Sequence, residues 1–453
     1  MSNPGEADAT PITSREQLAA YIAGGCKPRE AFRIGAEHEK FGFRREDLTP
    51  PPYQPDGIEA MLDGIGRRGW EPIRDDGAVI GLKRGGASVS LEPAGQFELS
   101  GAPLATLHEV WAEQEAHFAD VRAVADPLGL GFAPLGFHPL ATRAQMPWMP
   151  KRRYAIMRRY MPLKGSLGLD MMLRTCTVQV NLDYASEADM RRKLRVSLAL
   201  QPLATALFAN GPFTEGRPNG LLSMRARVWT DTDPDRSGMP PVMFEDGFGF
   251  ERYVDWLLRV PMYFVMRDGR YIDVAGRSFL DFMAGRLPEL PGELPTLGDF
   301  ADHMTTAFTD VRVKRFLEMR GADAGSGAMM LAQSALWVGL LYDEAALDAA
   351  AALVAKHPWS DYAALRAQVP ERAMDAPWQG GTLRALAADV LAIADDGLRA
   401  RRRLDTAGRD ERIFLQPLHE IAAGGPTQAE RWLARYHGPW QGNAGSILPD
   451  AAI

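Results

Sequence analysis

A chain of 453 residues that is 46% hydrophobic and 24% charged is no disordered tail, and it is long enough for one large domain or two to three ordinary ones. With 58 acidic against 51 basic side chains and a net charge of -7 it has no general basic footprint for nucleic acid, although "KRRYAIMRR" (151–159) and "RARRR" (399–403) are cationic runs. Two cysteines, Cys26 and Cys176, exclude a disulfide framework and a cysteine-based metal cage.

The opening "MSNPGEADATPI" has neither the basic nor the apolar region of a secretory signal, and residues 1–13 read as an N-terminal tail. No run of roughly 18 apolar residues is present. A cytoplasmic protein with no membrane partner is therefore expected. "SREQLAAYIAGG" (14–25) predicts a helix capped by Ser14 and stopped by glycines, and "EAFRIGAEHEKFGFR" (30–44) a strand. "GIEAMLDGIGRRG" (57–69) is helical. "GAVIGLKRGGASVSLEPAGQFELSG" (77–101) contains strands punctuated by a Gly85-Gly86 turn.

A long amphipathic helix is expected over 106–129, followed by a Pro- and Met-rich loop and the basic helix. The stretch "MPWMPKRRYAIMRRYM" is read as packing between helices, with a lid as the alternative. "MMLRTCTVQVNLDY" (171–184) alternates like a strand, 187–210 is helical, and 340–440 is Ala-rich and helical. With no fixed-period repeat and no clear linker, residues 14–453 are expected to form a single domain. Strands with polar residues at every second position predict an antiparallel sheet with one open face, hence an α+β fold.

That alternation also collects the chemistry. Glu37 and Glu39 share one strand face while His38 points away. Similar polar sets are Ser88, Ser90 and Glu92; then Gln96, Glu98 and Ser100; then Thr175, Thr177, Gln179, Asn181 and Asp183; and Glu318 with Arg320. Each pair alone fits the solvated face of a half-exposed strand. If the faces converge, Glu37, Glu39, Glu92, Glu98 and Glu318 enter one cavity, which is costly unless cations hold them. Oxygen ligands of this kind suit magnesium, or manganese, and a magnesium site keeps places for substrate phosphate, which implies a nucleotide. Arg225 and Arg227 lie near Trp229, where an arginine can grip a carboxylate with paired hydrogen bonds; a surface ion pair is the competing use. "GADAGSGAM" (321–329) lacks the ending of a phosphate loop, and no HExxH, GxSxG or strand-bounded GxGxxG occurs.

"IGAEHEKFGF", "SLEPAGQFELSG", "GLDMMLRTCTVQVNLDY", "LALQPLATALFANGPF", "PNGLLSMRARVWTDTD" and "RFLEMRGAD", in that order, closely resemble the plant-type glutamate–cysteine ligases also found in proteobacteria. The resemblance runs from about residue 14 to about residue 440. It implies a glutamine-synthetase-like domain, with an antiparallel sheet curved into a funnel. The implied activity is ATP-dependent formation of γ-glutamylcysteine, the first step of glutathione synthesis, by a monomer or homodimer. By the same resemblance, Glu37, Glu39, Glu92, Glu98 and Glu318 would hold metal, with Gln179 nearby. Arg320 and Glu318 would be catalytic, Arg320 stabilising the transferred phosphoryl group. Arg225, Trp229, Met172, Arg174 and Thr175 would form the amino-acid pocket.

Two features depart from the family pattern. Where plant members continue after "EMRGAD" with a Gly-Pro-Trp-Arg-Arg type sequence, this chain reads "AGSGAMMLAQSALW", which opens the question of a different amine acceptor. Thiol-based regulation of the plant kind needs cysteine pairs that Cys26 and Cys176 do not supply, so redox switching is expected to be absent or different. A non-catalytic binding relative is the alternative from another class. A glycosidase is more remote, since it needs one acid and one base rather than five acids.

Overall fold

The computed structural model describes residues 8–453, so the first seven residues of the expected tail lie outside the described residues. The rest of that tail is exposed except for Ile12, which is buried and whose N–H donates to Pro295 O at 2.9 Å. Helix α1 (Arg15–Ala23) starts where the Ser14 side chain accepts the N–H of Gln17, as its cap residue predicts.

A nine-stranded sheet organises the chain. Its strands are β1 (Ile34–Arg44), β2 (Glu71–Asp75), β3 (Ala78–Arg84), β4 (Ala87–Leu91), β5 (Phe97–Ser100), β6 (Leu130–Ala133), β7 (Thr177–Leu182) and the hairpin Val311–Val313 with Leu317–Asp323. The spatial order is Val311–Val313, Leu317–Asp323, β7, β1, β5, β4, β3, β2, with β6 paired to the far end of β1. Every pairing in it is antiparallel, as the polar alternation predicts.

Period-two geometry divides the sheet into two faces. Ile34, Ala36, Val178, Val180, Leu182, Leu317 and Met319 join the main core, which includes α6 (Glu187–Leu207) and the helix Gly327–Leu341. The other face carries the polar sets. Helices α2 (Ile58–Gly66) and α3 (Leu107–Ala125) pack together, α3 opening with a reciprocal Thr106–Glu109 cap. The C-terminal part is helical as expected, including Glu344–Val354, Trp359–Arg372 and Leu383–Arg401.

Residues 171–184 do not form one strand. Helix α5 (Gly168–Arg174) occupies the first part, with Asp170 and Arg174 paired one turn apart and Met172 and Leu173 buried, and β7 begins only at Thr177. Both cysteines are free thiols, Cys176 buried. Among the described residues no helix is long and apolar enough to cross a membrane.

Candidate active site

Strand register brings the acids together. Glu39 stands directly opposite Glu98 of β5, and Glu37 lies between Ser100 of β5 and Gln179 of β7. Glu98 accepts hydrogen bonds from Ser90 Oγ at 2.8 Å and Ser100 Oγ at 2.7 Å. Glu39 accepts the Thr177 N–H at 2.9 Å, and Glu37 accepts Asn181 Nδ2 at 2.7 Å. Glu92 enters from the turn after β4, closed by the Gly95 N–H on Glu92 O at 2.9 Å; Gly95 has φ +82°, which a residue with a Cβ rarely adopts.

Like charges directly opposite each other repel, and burial increases the penalty. Burial first, then Glu92 and Glu98, hold the Glu39 carboxyl well above its ordinary range. Burial and Glu98 push Glu92 up to about 7, against the pull of Lys151 and Arg153. Glu92 Oε1 is buried without a hydrogen-bond partner. Glu37, Glu39, Glu92 and Glu98 all line one open cleft.

Cations line the same cleft. Arg312 sits opposite Glu318 in the hairpin and grips it with Nε at 2.5 Å and Nη2 at 2.9 Å. Burial opposes ionisation of Glu318, but Arg312, Lys314 and Arg320 outweigh it and hold the carboxyl well below its ordinary range. Glu318 is fully buried behind Arg312 and does not line the cleft; Arg312 and Arg320 do. Gln179 accepts Arg320 Nη1 at 2.7 Å, so the residue expected beside the metals anchors the arginine. Arg225, from α7 (Met224–Val228), donates to Arg320 O at 2.7 Å and lines the same cleft.

Met172, Thr175 and Trp229 also line the cleft, Trp229 packing with Phe308 at a ring separation of 5.8 Å. Arg174 does not. It is buried elsewhere, donating to Asp170 at 2.6 Å, Glu215 at 2.8 Å and Ala141 O at 3.2 Å, because the helical end of α5 turns it away. The residues that sequence reasoning missed are Arg312, Arg153 and Tyr154. Arg153 and Tyr154 belong to α4 (Arg152–Tyr160), part of the Met-rich stretch, which packs as expected through Met146, Ile156 and Met161 and also lines the cleft. Arg312 was legible only once the hairpin turn had been placed.

Residues 324–330 contribute nothing to the cleft. Ser326 N–H donates to Gln428 Oε1 at 3.0 Å and Gln114 Nε2 donates to Gly327 O at 3.0 Å, while Ala328 borders a separate apolar groove. Among the described residues no group of three Asp, Glu, His or Cys side chains forms a preassembled metal cage. The carboxylates are a lining. Magnesium is commonly held in that way, by one or two carboxylates together with water and substrate phosphates.

The model of the family described as "Glutamate-cysteine ligase family 2" matches residues 33–449. This chain belongs to glutamate–cysteine ligase family 2. Chloroplastic glutamate–cysteine ligases of Brassica juncea and Arabidopsis thaliana are each 54% identical over 433 residues, covering 95% of this chain and 83% and 81% of the relatives. One from Medicago truncatula is 51% identical over 443 residues, covering 98% of this chain and 86% of its own. Among solved structures, a glutamate–cysteine ligase from Francisella tularensis in complex with AMP shares the fold at TM-score 0.58 and 12% identity, covering 93% of this chain and 88% of that one.

Membership in this ligase family bears out the α+β fold and the ligase activity expected from the sequence. The cytoplasmic placement does not stand: the family-2 relatives are named chloroplastic. That expectation rested on seeing no secretory signal and no apolar span, which does not distinguish one aqueous compartment from another.

Proposed function

We propose that this cleft joins the γ-carboxyl of glutamate to the amine of cysteine at the expense of ATP, through a γ-glutamyl phosphate. The observation that carries this reading is the apposition in one cleft of an acidic wall, Glu37, Glu39, Glu92 and Glu98, and a cationic wall, Arg225, Arg312 and Arg320. Phosphoryl transfer asks for little covalent chemistry from the protein and much electrostatic positioning, which such walls provide.

The four carboxylates fit magnesium, or manganese, in two respects: their donors are hard oxygens, and Glu92 keeps a buried oxygen unsatisfied. When bound, the ion supplies the positive charge that lets ATP phosphates lie against this acidic wall. Glu318 is assigned a different part from the other four, as the counter-charge that fixes Arg312 and Arg320.

Arg320 is placed to stabilise negative charge on the phosphoryl group as an oxygen of the γ-carboxylate bonds to phosphorus and ADP leaves. The amine nitrogen of cysteine then attacks the acyl carbon, the carbon–oxygen bond to phosphate breaks, and the amine gives up a proton. Arg225, with Trp229, Met172 and Thr175, is assigned the carboxylate of an amino-acid substrate. The altered segment 324–330 lies outside the cleft and gives no support to a different acceptor.

Phosphate release measured with ATP, glutamate and a panel of amines tests the proposal. Cysteine should be preferred by kcat/KM. Equal rates with every amine, or none above ATP hydrolysis, would overturn it.

A further inference from the structure

Arg320 lies in a break of the sheet. Glu318 pairs with Asn181 and Met319 with Val180, but the next partner of Val178 is Ala322, so Arg320 and Gly321 together oppose Gln179. A bulge of this kind re-aims side chains, and it also removes backbone groups from the ladder.

Those groups are satisfied from outside the strand pair. The Arg320 N–H donates to Asp310 O at 3.0 Å, and Arg320 O accepts Arg225 Nη2 at 2.7 Å. The Gly321 peptide is held by α6: its N–H donates to Gln201 Oε1 at 2.8 Å, and its carbonyl accepts Thr205 Oγ1 at 2.9 Å. Gln201 and Thr205 are one helical turn apart and so project from the same face.

We propose that Gln201 and Thr205 are positioning residues for the ligation, locking the Arg320–Gly321 bulge so that the Arg320 guanidinium faces the cleft. Burying two polar side chains in the otherwise apolar C-terminal half of α6 is costly, and Gln201 is 1% exposed and Thr205 8%. Gln201 carries an additional cost, because its Nε2 is buried without a hydrogen-bond partner. An apolar residue would pack there more cheaply, so what the glutamine contributes is its oxygen, and that oxygen is spent on Gly321. Glycine is required at the contact: a Cβ on residue 321 would stand 2.2 Å from Gln201 Oε1.

The positioning role rests on the phosphoryl-stabilising reading of Arg320, and the test separates the two. Thr205→Val keeps the shape and removes the donor; Gln201→Met keeps the length and removes the acceptor; Thr205→Ser restores a hydroxyl. Steady-state rates are measured on the full-length enzyme for these variants, for Arg320→Met and for Arg320→Met/Thr205→Val. Misplacement of a catalytic group by about 1 Å costs on the order of 100-fold, so kcat should fall about 10- to 100-fold in Thr205→Val and Gln201→Met while each KM stays within about twofold.

Thr205→Ser should recover most of the rate. The double variant should be no slower than Arg320→Met alone, since a positioner has nothing left to position. Multiplicative losses in the double variant, or a wild-type kcat in folded Thr205→Val beside an inactive Arg320→Met, would overturn the positioning role. A wild-type kcat in Arg320→Met would overturn the phosphoryl reading itself, and the positioning role with it. If Gln201→Met does not fold, the Thr205 series decides the matter alone.

Discussion

Arg312 holds both carboxylate oxygens of Glu318, at 2.5 and 2.9 Å, from the directly opposed position of the same hairpin. Both are buried, so the pair's value lies in mutual compensation: removing one member strands a charge away from water. Arg312→Met should cost about 3 kcal/mol in chemical denaturation, and the double variant Arg312→Met/Glu318→Gln should recover most of that loss. A single variant as stable as wild type would mean that Lys314 and Arg320 suffice as counter-charges.

Glu92 gives a pH prediction for the metal-free protein. Its folded carboxyl titrates at about 7 against an ordinary 4.5. A raised carboxyl contributes stability that is complete below 4.5 and is lost as pH rises through the folded value, because over that window the native state holds the proton more tightly. Metal-free wild type should therefore lose stability between pH 4.5 and about 7, and Glu92→Gln should lose less. Saturating magnesium should raise the wild-type melting temperature most at the upper end of that window. Parallel stability profiles for the two proteins would remove Glu92 as the source.

Much of this arrangement could be read from alternation alone. Glu37, Glu39 and Glu98 are on the open face because period-two geometry requires it, and β1 and β5 lie where their apolar neighbours predict. Pairing register was not legible, since alternation says which face a residue takes but not which partner it meets. Glu318 consequently read as a fifth metal ligand, although Arg312 sits across the hairpin from it. Arg174 was placed in the pocket by resemblance alone, and alternation could not test it because the residue ends a short helix, where it pairs with Asp170 and Glu215.

Glu39→Gln exposes the trade between stability and function. The variant relieves the repulsion from Glu98 directly opposite and should stabilise the metal-free protein by up to about 1 kcal/mol. Activity should nevertheless fall by roughly 100-fold or more, and the magnesium-induced rise in melting temperature should shrink. Loss of stability together with unchanged magnesium dependence would take Glu39 out of the cation-binding wall.

Arg225 carries two duties that kinetics can separate. Its Nη2 is spent on Arg320 O at 2.7 Å, while the side chain also lines the cleft beside Trp229. Loss of substrate binding common to the ground and transition states appears in KM, whereas loss of support for Arg320 appears in kcat. Arg225→Ala should thus raise the KM of one amino acid, glutamate or cysteine, and lower kcat as well. Arg225→Lys keeps a charge but not the forked geometry, so it should retain more of the KM than of the kcat. If Arg225→Ala changed only kcat, with both amino-acid KM values at wild type, Arg225 would be a support for the bulge and the substrate carboxylate would have to be held elsewhere.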